Sequence, residues 1–366
     1  MKPVIAIAVS GGIDSLTAGY LLKRQGYPVL GIHFITGYEP LPLTEPGVEI
    51  QPGSTTRRTA AEGTGKQPIL DIARQLEIKI ELIDIRVEFK RMVVDHFTGT
   101  YAEGRTPNPC MVCNPAIKFG TILNHARALG ASALATGHYA RIIRGTDGHP
   151  QLLKGADLRK DQSYFLARLS RHQLERACFP LGEMTKDEVK TLASVHGLKP
   201  VTKDESQDVC FISSASYGDF LLKQPGFQAK PGPIVTPDGQ TIGTHDGLHL
   251  FTVGQRRGIG IPAAEPYYVI GLDTKNNRLL VGYKNELYKP ACRVSEVNWI
   301  QPPPRAPIRV ETKIRYRHHA VSSTVYPQDD GRVIVRFDTP QKAVTPGQGA
   351  VFYQNETVLG GGWIDS

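Results

Sequence analysis

The chain has 366 residues, 40% of them hydrophobic, which is enough for two or three domains with real cores. With 43 Lys and Arg against 35 Asp and Glu, its net charge of +8 favours an acidic partner such as nucleic acid. Five cysteines, an odd number in so long a chain, exclude a disulfide scaffold and point to a reducing compartment, and no apolar stretch reaches membrane-spanning length. In chain order, the apolar run Val4–Val9 reads as a strand too short for a signal-peptide core, so the expected location is cytoplasmic, with no membrane partner. Ser10-Gly11-Gly12-Ile13-Asp14-Ser15 follows as a tight turn into a helical pattern that ends at Gly26. Val29–Phe34 reads as a second strand. Residues 37–66, rich in Pro, Gly, Thr and Glu, read as an irregular loop. A helix over about 67–76, the strand Ile78–Ile85 and a helix over about 88–101 come next. A Pro/Cys loop, a helix over about 116–129 and the short strand Ala133–Thr136 complete the alternation.

Alternation of this kind predicts an α/β domain built on a doubly wound parallel sheet. From about residue 206 glycine and proline become dense, helical periodicity fades and short strands appear, such as Tyr267–Ile270 and Leu279–Val281. From about 290 the strands lengthen: Ile308–Ile314, Val321–Tyr326, Val333–Phe337 and Ala350–Tyr353. The expected division is an α/β domain over 1–205, a small β-rich connecting domain over 206–287 and an antiparallel β-barrel over 288–366. Ligands in parallel sheets lie beyond the carboxyl ends of the strands. The turn after Val9, the loop after Phe34, the cysteine loop and Thr136-Gly137-His138 are therefore expected to converge.

Strand, glycine turn and helix start make a phosphate cradle at Ser10–Ser15. The glycines permit a sharp turn and close anion approach, and the helix start offers N–H donors. The alternative is an ordinary helix cap by Ser10 or Asp14. The second motif is Thr106-Pro107-Asn108-Pro109-Cys110-Met111-Val112-Cys113-Asn114, read as an irregular loop with Cys113 near a helix N-terminus, where the dipole favours a thiolate. Cys210 follows the acids of Asp204–Asp208 and precedes Phe211 and Ile212. Cys178 reads as a small core residue, and Cys292 has no chemical neighbours. Half a zinc site at Cys110 and Cys113 is the alternative, but there is no second CxxC. His318-His319 fall in a strand pattern and so face opposite ways.

Ser10–Ser15 resembles the pyrophosphate (PP) loop of ATP pyrophosphatases, which activate a carbonyl oxygen by adenylation. Further motifs follow in order: Ala135–Tyr139, Lys160–Phe165, Gln207–Ile212, Thr252–Gly258, Ile314–Arg317 and Thr345–Gln348. Together they resemble the tRNA-specific 2-thiouridylases (MnmA/TrmU family), across all three expected domains. The resemblance implies sulfur replacing the C2 oxygen of the wobble uridine in tRNA, with ATP and Mg2+ used. It implies Cys113 and Cys210 as catalytic residues, Cys210 carrying a persulfide and Cys113 closing a disulfide onto it. It implies ATP binding by Ala8, Val9, Ser10, Gly11, Gly12, Ile13, Asp14, Ser15, Phe34 and Gly137. Contacts to the target base and tRNA are implied for Asn108, Pro109, Cys110, His138, Lys160, Asp161, Gln162, Arg315, Tyr316 and Gln348. Apart from the resemblance, Lys160, Arg315 and Arg317 read as a solvated charged face. The implied partners are tRNA and a cysteine desulfurase or sulfur-relay protein as persulfide donor.

One position departs from the family pattern. Cys110 stands where an aspartate is common, which gives three thiols, Cys110, Cys113 and Cys210. Three thiolates and one open iron position would suit a [4Fe–4S] cluster, the alternative to the persulfide route. Two rivals remain at this stage: a small-molecule PP-loop synthetase, which has no need of Cys113 and Cys210, and a tRNA-binding protein without catalysis.

Overall fold

The computed structural model describes residues 1–39, 55–58, 68–201, 209–212 and 216–366. Most of the expected loop 37–66, the expected boundary at 205/206 and the acids before Cys210 lie outside the described residues. The chain divides into two compact units. One comprises Met1–Val93, Cys110–Ser213 and Glu356–Val358; the other comprises Val94–Pro109, Ser214–Asn355 and Leu359–Ser366.

The first unit is built on β1 (Ile5–Ala8), β2 (Val29–Ile35), β3 (Thr55–Arg58), β4 (Lys79–Asp84) and β5 (Ala133–Ala135). After β5 the chain makes a hairpin of β6 (Ala140–Arg144) and β7 (Pro150–Lys154), then β8 (Ala177–Cys178). Among the described residues the sheet order is β3-β4-β2-β1-β5-β8, parallel except for the edge strand β3. β3 falls inside the stretch expected to be irregular: four residues carry too short a pattern to read, and pairing with β4 decides their conformation. The chain leaves β1 towards β2 on one side and returns to β5 on the other, so the carboxyl end of β1 is a topological switch point.

The apolar strands are buried on both faces, as a helix-covered parallel sheet requires. Helix α1 (Ile13–Arg24) lays Leu16, Ala18 and Leu22 onto Ile7, and α2 (Pro68–Leu76) adds Ile72 and Leu76. A Cβ on Gly19 would lie 2.8 Å from the end of the Leu76 side chain, so the two helices pack closely there. Each such fully buried Leu or Ile contributes about 1.5–3 kcal/mol.

The helix expected over 116–129 already starts at Pro109 and runs as Pro109–Cys113, a π-helical stretch Asn114–Ile122 and Leu123–Ala128. Pro109 begins it because its missing N–H and fixed φ suit the first helical turn. Pro115 cannot continue the α-helical ladder, and the chain takes the wider turn instead. Cys113 is therefore inside a helical run and not at its N-terminus, so the dipole argument for its thiolate does not hold. The expected helix over 88–101 is interrupted in the same way, by a π turn at Lys90–Val94 between Arg86–Phe89 and Asp95–Ala102.

In the second unit, β9 (Gly232–Val235), β10 (Thr241–His245), β11 (Tyr268–Asp273) and β12 (Arg278–Gly282) form a small sheet of order β10-β9-β12-β11. Ile234, Phe251, Val269, Leu279 and Val281 make its core. The C-terminal strands are β13 (Tyr288–Trp299), β14 (Ile308–Lys313), β15 (Val321–Pro327), β16 (Val333–Lys342), β17 (Gly349–Gln354) and β18 (Thr357–Ile364). They run β13-β16-β15-β14-β17-β18 and close where β18 pairs back on β13, Val294 facing Ile364. Closure removes the sheet edges and encloses Val310, Val325, Val335 and Phe352. His318 and His319 lie beyond β14 in a turn, not in the strand their pattern suggested.

Candidate active site

Val9 to Gly12 spans the turn from β1 to α1. The Val9 N–H donates to Ile32 O at 2.8 Å, and Gly11 has φ +89°, a conformation glycine allows without strain. Gly12 is the N-cap of α1 and no side chain caps it, so neither Ser10 nor Asp14 plays the ordinary capping role. A helix start without a side-chain cap is the arrangement that suits an anion. Ser10 Oγ donates to Ser15 Oγ at 3.2 Å, and Ser15 Oγ donates to Gly12 O at 3.0 Å, fixing the width of the turn. The segment after β5 crosses the start of α1: a Cβ on Gly137 would lie 2.8 Å from Ser15 N. Ala8 and Val9 are buried beneath the turn, while Ile13 and Phe34 are half-buried. His33 donates from Nδ1 to Val9 O at 2.8 Å and buttresses the turn, and burial keeps its imidazole neutral by lowering its pKa.

Asp14 is held from two sides. Tyr139 OH donates to its Oδ1 at 2.8 Å, and Lys186 Nζ lies 2.8 Å from both carboxylate oxygens. The Lys186 side chain is only 6% exposed against 33% for Asp14. Lys186 opens the helix Lys186–Val195, whose Thr185–Glu188 capping box fixes its start, and its own N–H donates to Asp157 at 3.1 Å. A buried ammonium is thus anchored beside the helix N-terminus and paired with Asp14.

The three motif cysteines lie in the same unit. Cys110 and Cys113 are half-buried, Cys210 is exposed, and none of the five cysteines is in a disulfide. Phe211 anchors Cys210: it is 2% exposed and packs edge-on against Phe89 and Tyr38, with ring centroids 5.7 and 6.0 Å away. Burial pushes the Cys110 thiol up to about 11 and the Cys113 thiol to about 12; it raises Cys210 too. The positive charge of Lys118 opposes the rise at all three. His138 is buried, and burial and Lys118 together lower its pKa well below the usual value, so it is neutral at pH 7. Lys118 Nζ lies 3.3 Å from His138 Nε2, and Thr136 Oγ1 lies 2.7 Å from Nδ1.

The remaining expected site residues are placed as follows. Asn108 is buried, and Pro109 opens the helix that carries both motif cysteines. Lys160 is half-buried, and its N–H donates to Asp157 O. Asp161 is buried and accepts from Gly155 N, Ser163 N and Ser163 Oγ, each at 3.0 Å. Gln162 Oε1 accepts from Tyr139 N at 3.1 Å, so Asp161 and Gln162 brace the segment that carries His138 and Tyr139. In the second unit Arg315 donates to Lys342 O at 3.3 Å, and Lys313 lies over the Tyr316 ring at 5.4 Å. Gln348 donates to Thr106 O and Pro107 O at 3.1 and 3.0 Å, gripping the chain that leads into Asn108. Cys178 is half-buried in β8 and Cys292 is buried in the barrel wall; burial alone raises their thiols, to about 11 and about 12.

Sequence reasoning missed Lys118, Lys186 and the role of Tyr139. For Lys186 a signal was available, a lysine directly after the Thr185 cap. Lys118 offered none, because five residues after Cys113 is the wrong face of an α-helix.

Three family models match the chain in succession: a tRNA methyl transferase HUP domain over residues 3–214, a tRNA methyl transferase PRC-barrel domain over 218–283 and an aminomethyltransferase beta-barrel domain over 289–364. A protein of Desulfosudis oleivorans named tRNA-specific 2-thiouridylase MnmA is 49% identical over 363 residues, covering 99% of this chain and 95% of its own. Proteins of the same name from Geotalea uraniireducens and Nostoc punctiforme are 44% and 42% identical, over 99% and 100% of this chain and 94% and 99% of theirs. With its PP-loop sheet, cysteine-bearing helix and closed barrel in one chain, and this identity along its whole length, the chain belongs to the tRNA-specific 2-thiouridylase MnmA family.

Proposed function

We propose that the protein is an ATP-dependent tRNA sulfurtransferase that converts the wobble uridine to 2-thiouridine, releasing AMP and pyrophosphate. The observation that carries this reading is the pairing, in one compact unit, of an uncapped helix start behind a glycine turn with Cys110, Cys113, Cys210 and a lysine, Lys118, whose charge acts on all three thiols. The uracil C2 carbonyl is a poor electrophile. Adenylation turns its oxygen into a good leaving group, and the helix N-terminus with Ser10 and Ser15 holds the phosphates. Lys186 supplies a buried positive charge beside them, and Phe34 and Gly137 line the adenosine side. Asn108, Pro109 and Cys110, with His138, receive the base, which leaves its stack to be reached. Lys160, Arg315, Tyr316 and Gln348 contribute to the tRNA face, with Asp161 and Gln162 acting from within.

Cys210 carries the incoming sulfur as a persulfide, loaded by a cysteine desulfurase or sulfur-relay protein. The terminal sulfur attacks C2, the C2–O bond breaks and AMP leaves with the electron pair. Cys113, as thiolate, then attacks Cys210 Sγ. The S–S bond breaks towards the sulfur on C2, and a Cys113–Cys210 disulfide forms. The proton lost by Cys113 is matched by one gained at uridine N3, and a thiol reductant resets the pair.

Magnesium, which would supply positive charge to the phosphates, needs only one or two protein carboxylates. Asp14 is the carboxylate at the loop that fits, once nucleotide competes for Lys186. A [4Fe–4S] cluster on Cys110, Cys113 and Cys210 fits less well. The thiol donors suit iron, but among the described residues no three His, Cys, Asp or Glu side chains are grouped to hold a metal ion, so no step is routed through one. Among the same residues no helix is long and apolar enough to cross a membrane, and a cytoplasmic location accords with the thiol chemistry.

The test is mass spectrometry of tRNA nucleosides after incubation with ATP, Mg2+ and a persulfide donor. Wild type should form 2-thiouridine. Cys113→Ser and Cys210→Ser should not, and Cys178→Ser and Cys292→Ser should. ATP cleavage that depends on an amino acid and not on tRNA would instead identify a small-molecule synthetase.

A further inference from the structure

Lys118 is the cation around which the cysteine-bearing half of the site is arranged, and its position follows from an unusual helix. Residues three or four apart share an α-helical face, whereas residues five apart do not. Over Asn114–Ile122 the hydrogen bonds run over five residues instead. Two contacts mark this stacking: Thr121 Oγ1 donates to Ala116 O at 3.3 Å, and a Cβ on Gly120 would lie 2.8 Å from Pro115 O. The wider turn gives Lys118 and Cys113, five residues apart, closer angular positions on the helix than an α-helix would.

The partners of Lys118 set the local charge. An ammonium only donates, so His138 Nε2 accepts from it at 3.3 Å and the ring proton sits on Nδ1, donated to Thr136 Oγ1 at 2.7 Å. The imidazole is thus neutral. Among the described residues no carboxylate forms an ion pair with Lys118; the groups that feel its charge are His138 and the thiols of Cys110, Cys113 and Cys210. A half-buried cation whose charge reaches the thiols, and which has no acidic partner among the described residues, is placed to receive negative charge when it appears there. The same segment, Thr136 to Tyr139, reaches the phosphate loop through Gly137 and the Tyr139–Asp14 bond, so the ammonium is held at a fixed offset from the nucleotide side.

We propose that Lys118 is the electrostatic partner of sulfur transfer, stabilising the negative charge that passes from the attacking Cys113 sulfur to the sulfur leaving on C2, and that the π-helical turn exists to aim it. This rests on the thiouridylase reading above. The test separates the two half-reactions on full-length protein with tRNA, ATP, Mg2+ and a persulfide donor. Pyrophosphate release reports adenylation, and mass spectrometry of 2-thiouridine reports sulfur transfer.

Lys118→Gln should release pyrophosphate within a few-fold of wild type yet slow thiolation by about 100-fold, as loss of one preorganised donor does elsewhere. Lys118→Arg, which keeps the charge, should recover most of the loss. Lys118→Met, of similar length and suited to a half-buried site, serves in the same role if the glutamine variant does not fold. Thiolation at the wild-type rate in Lys118→Gln or Lys118→Met would overturn the proposal. So would an equal loss of pyrophosphate release, or a folded Lys118→Arg no better than Lys118→Gln. Wild type that forms no 2-thiouridine would refute the functional reading itself, an outcome distinct from any of these.

Discussion

Asp14 and Lys186 neutralise each other beside a helix N-terminus, so nucleotide phosphate must compete with Asp14 for the lysine. Lys186→Met should therefore lower tRNA-dependent pyrophosphate release by about 100-fold, the scale of one lost charge-stabilising contact, with tRNA affinity retained. Release at the wild-type rate would remove Lys186 from the phosphate site. Cys113 carries the opposite kind of signal. Burial disfavours its charged form and pushes the thiol up to about 12, so it is protonated at neutral pH and its thiolate fraction rises as pH rises. Single-turnover sulfur transfer from preloaded persulfide should accordingly climb about tenfold per pH unit between about pH 7 and 9. A flat profile would mean that Cys113 ionisation does not limit the step. On the proposed route the disulfide joins Cys113 and Cys210 and not Cys110, so Cys110→Ala should keep substantial turnover in iron-free protein. Iron-dependent activity lost in that variant would favour the cluster.

On the proposed route, two short elements set where the sulfur atoms lie. One is the π-helical turn that carries Lys118. The other is the turn Val209–Ile212, pinned by Phe211 between Phe89 and Tyr38. Removing that ring should free Cys210 without touching the phosphate loop. Phe211→Ala should then cut thiolation by about 100-fold, the scale of a misplaced reacting group, while pyrophosphate release persists. Parallel loss of both activities would show that the aromatic cluster supports the whole unit and not Cys210 alone.

For the molecule as a whole, the +8 net charge predicts tRNA binding dominated by phosphate contacts and released counterions. Affinity should fall more than about tenfold between about 50 and 200 mM salt. Salt-independent binding would contradict an electrostatic tRNA face. Arg315→Ala should weaken tRNA binding and leave ATP affinity unchanged, since Arg315 lies in the barrel unit and the phosphate loop in the other. A loss of ATP affinity in that variant would show the two functions to be coupled.

The α/β alternation, the glycine turn at Ser10–Ser15 and the barrel strands were legible in the sequence because each depends on local geometry. Apolar residues at period two or 3.6 and a glycine where φ is positive act over a few residues. The short strand β3, the helix start at Pro109 and the π turn after Cys113 were not, because pairing and a proline inside a helix override local propensity. The state of the cysteines was misjudged for the same reason. Sequence places Cys113 near a helix start that favours a thiolate, whereas burial, which only the folded chain creates, raises its thiol. Sequence named the cysteines and the phosphate loop; the fold alone decided that Lys186 faces Asp14 and that Lys118 meets His138. Charges 172 residues apart, as Asp14 and Lys186 are, meet only when β1 and the later helices pack on one sheet. No local pattern encodes a partner that distant.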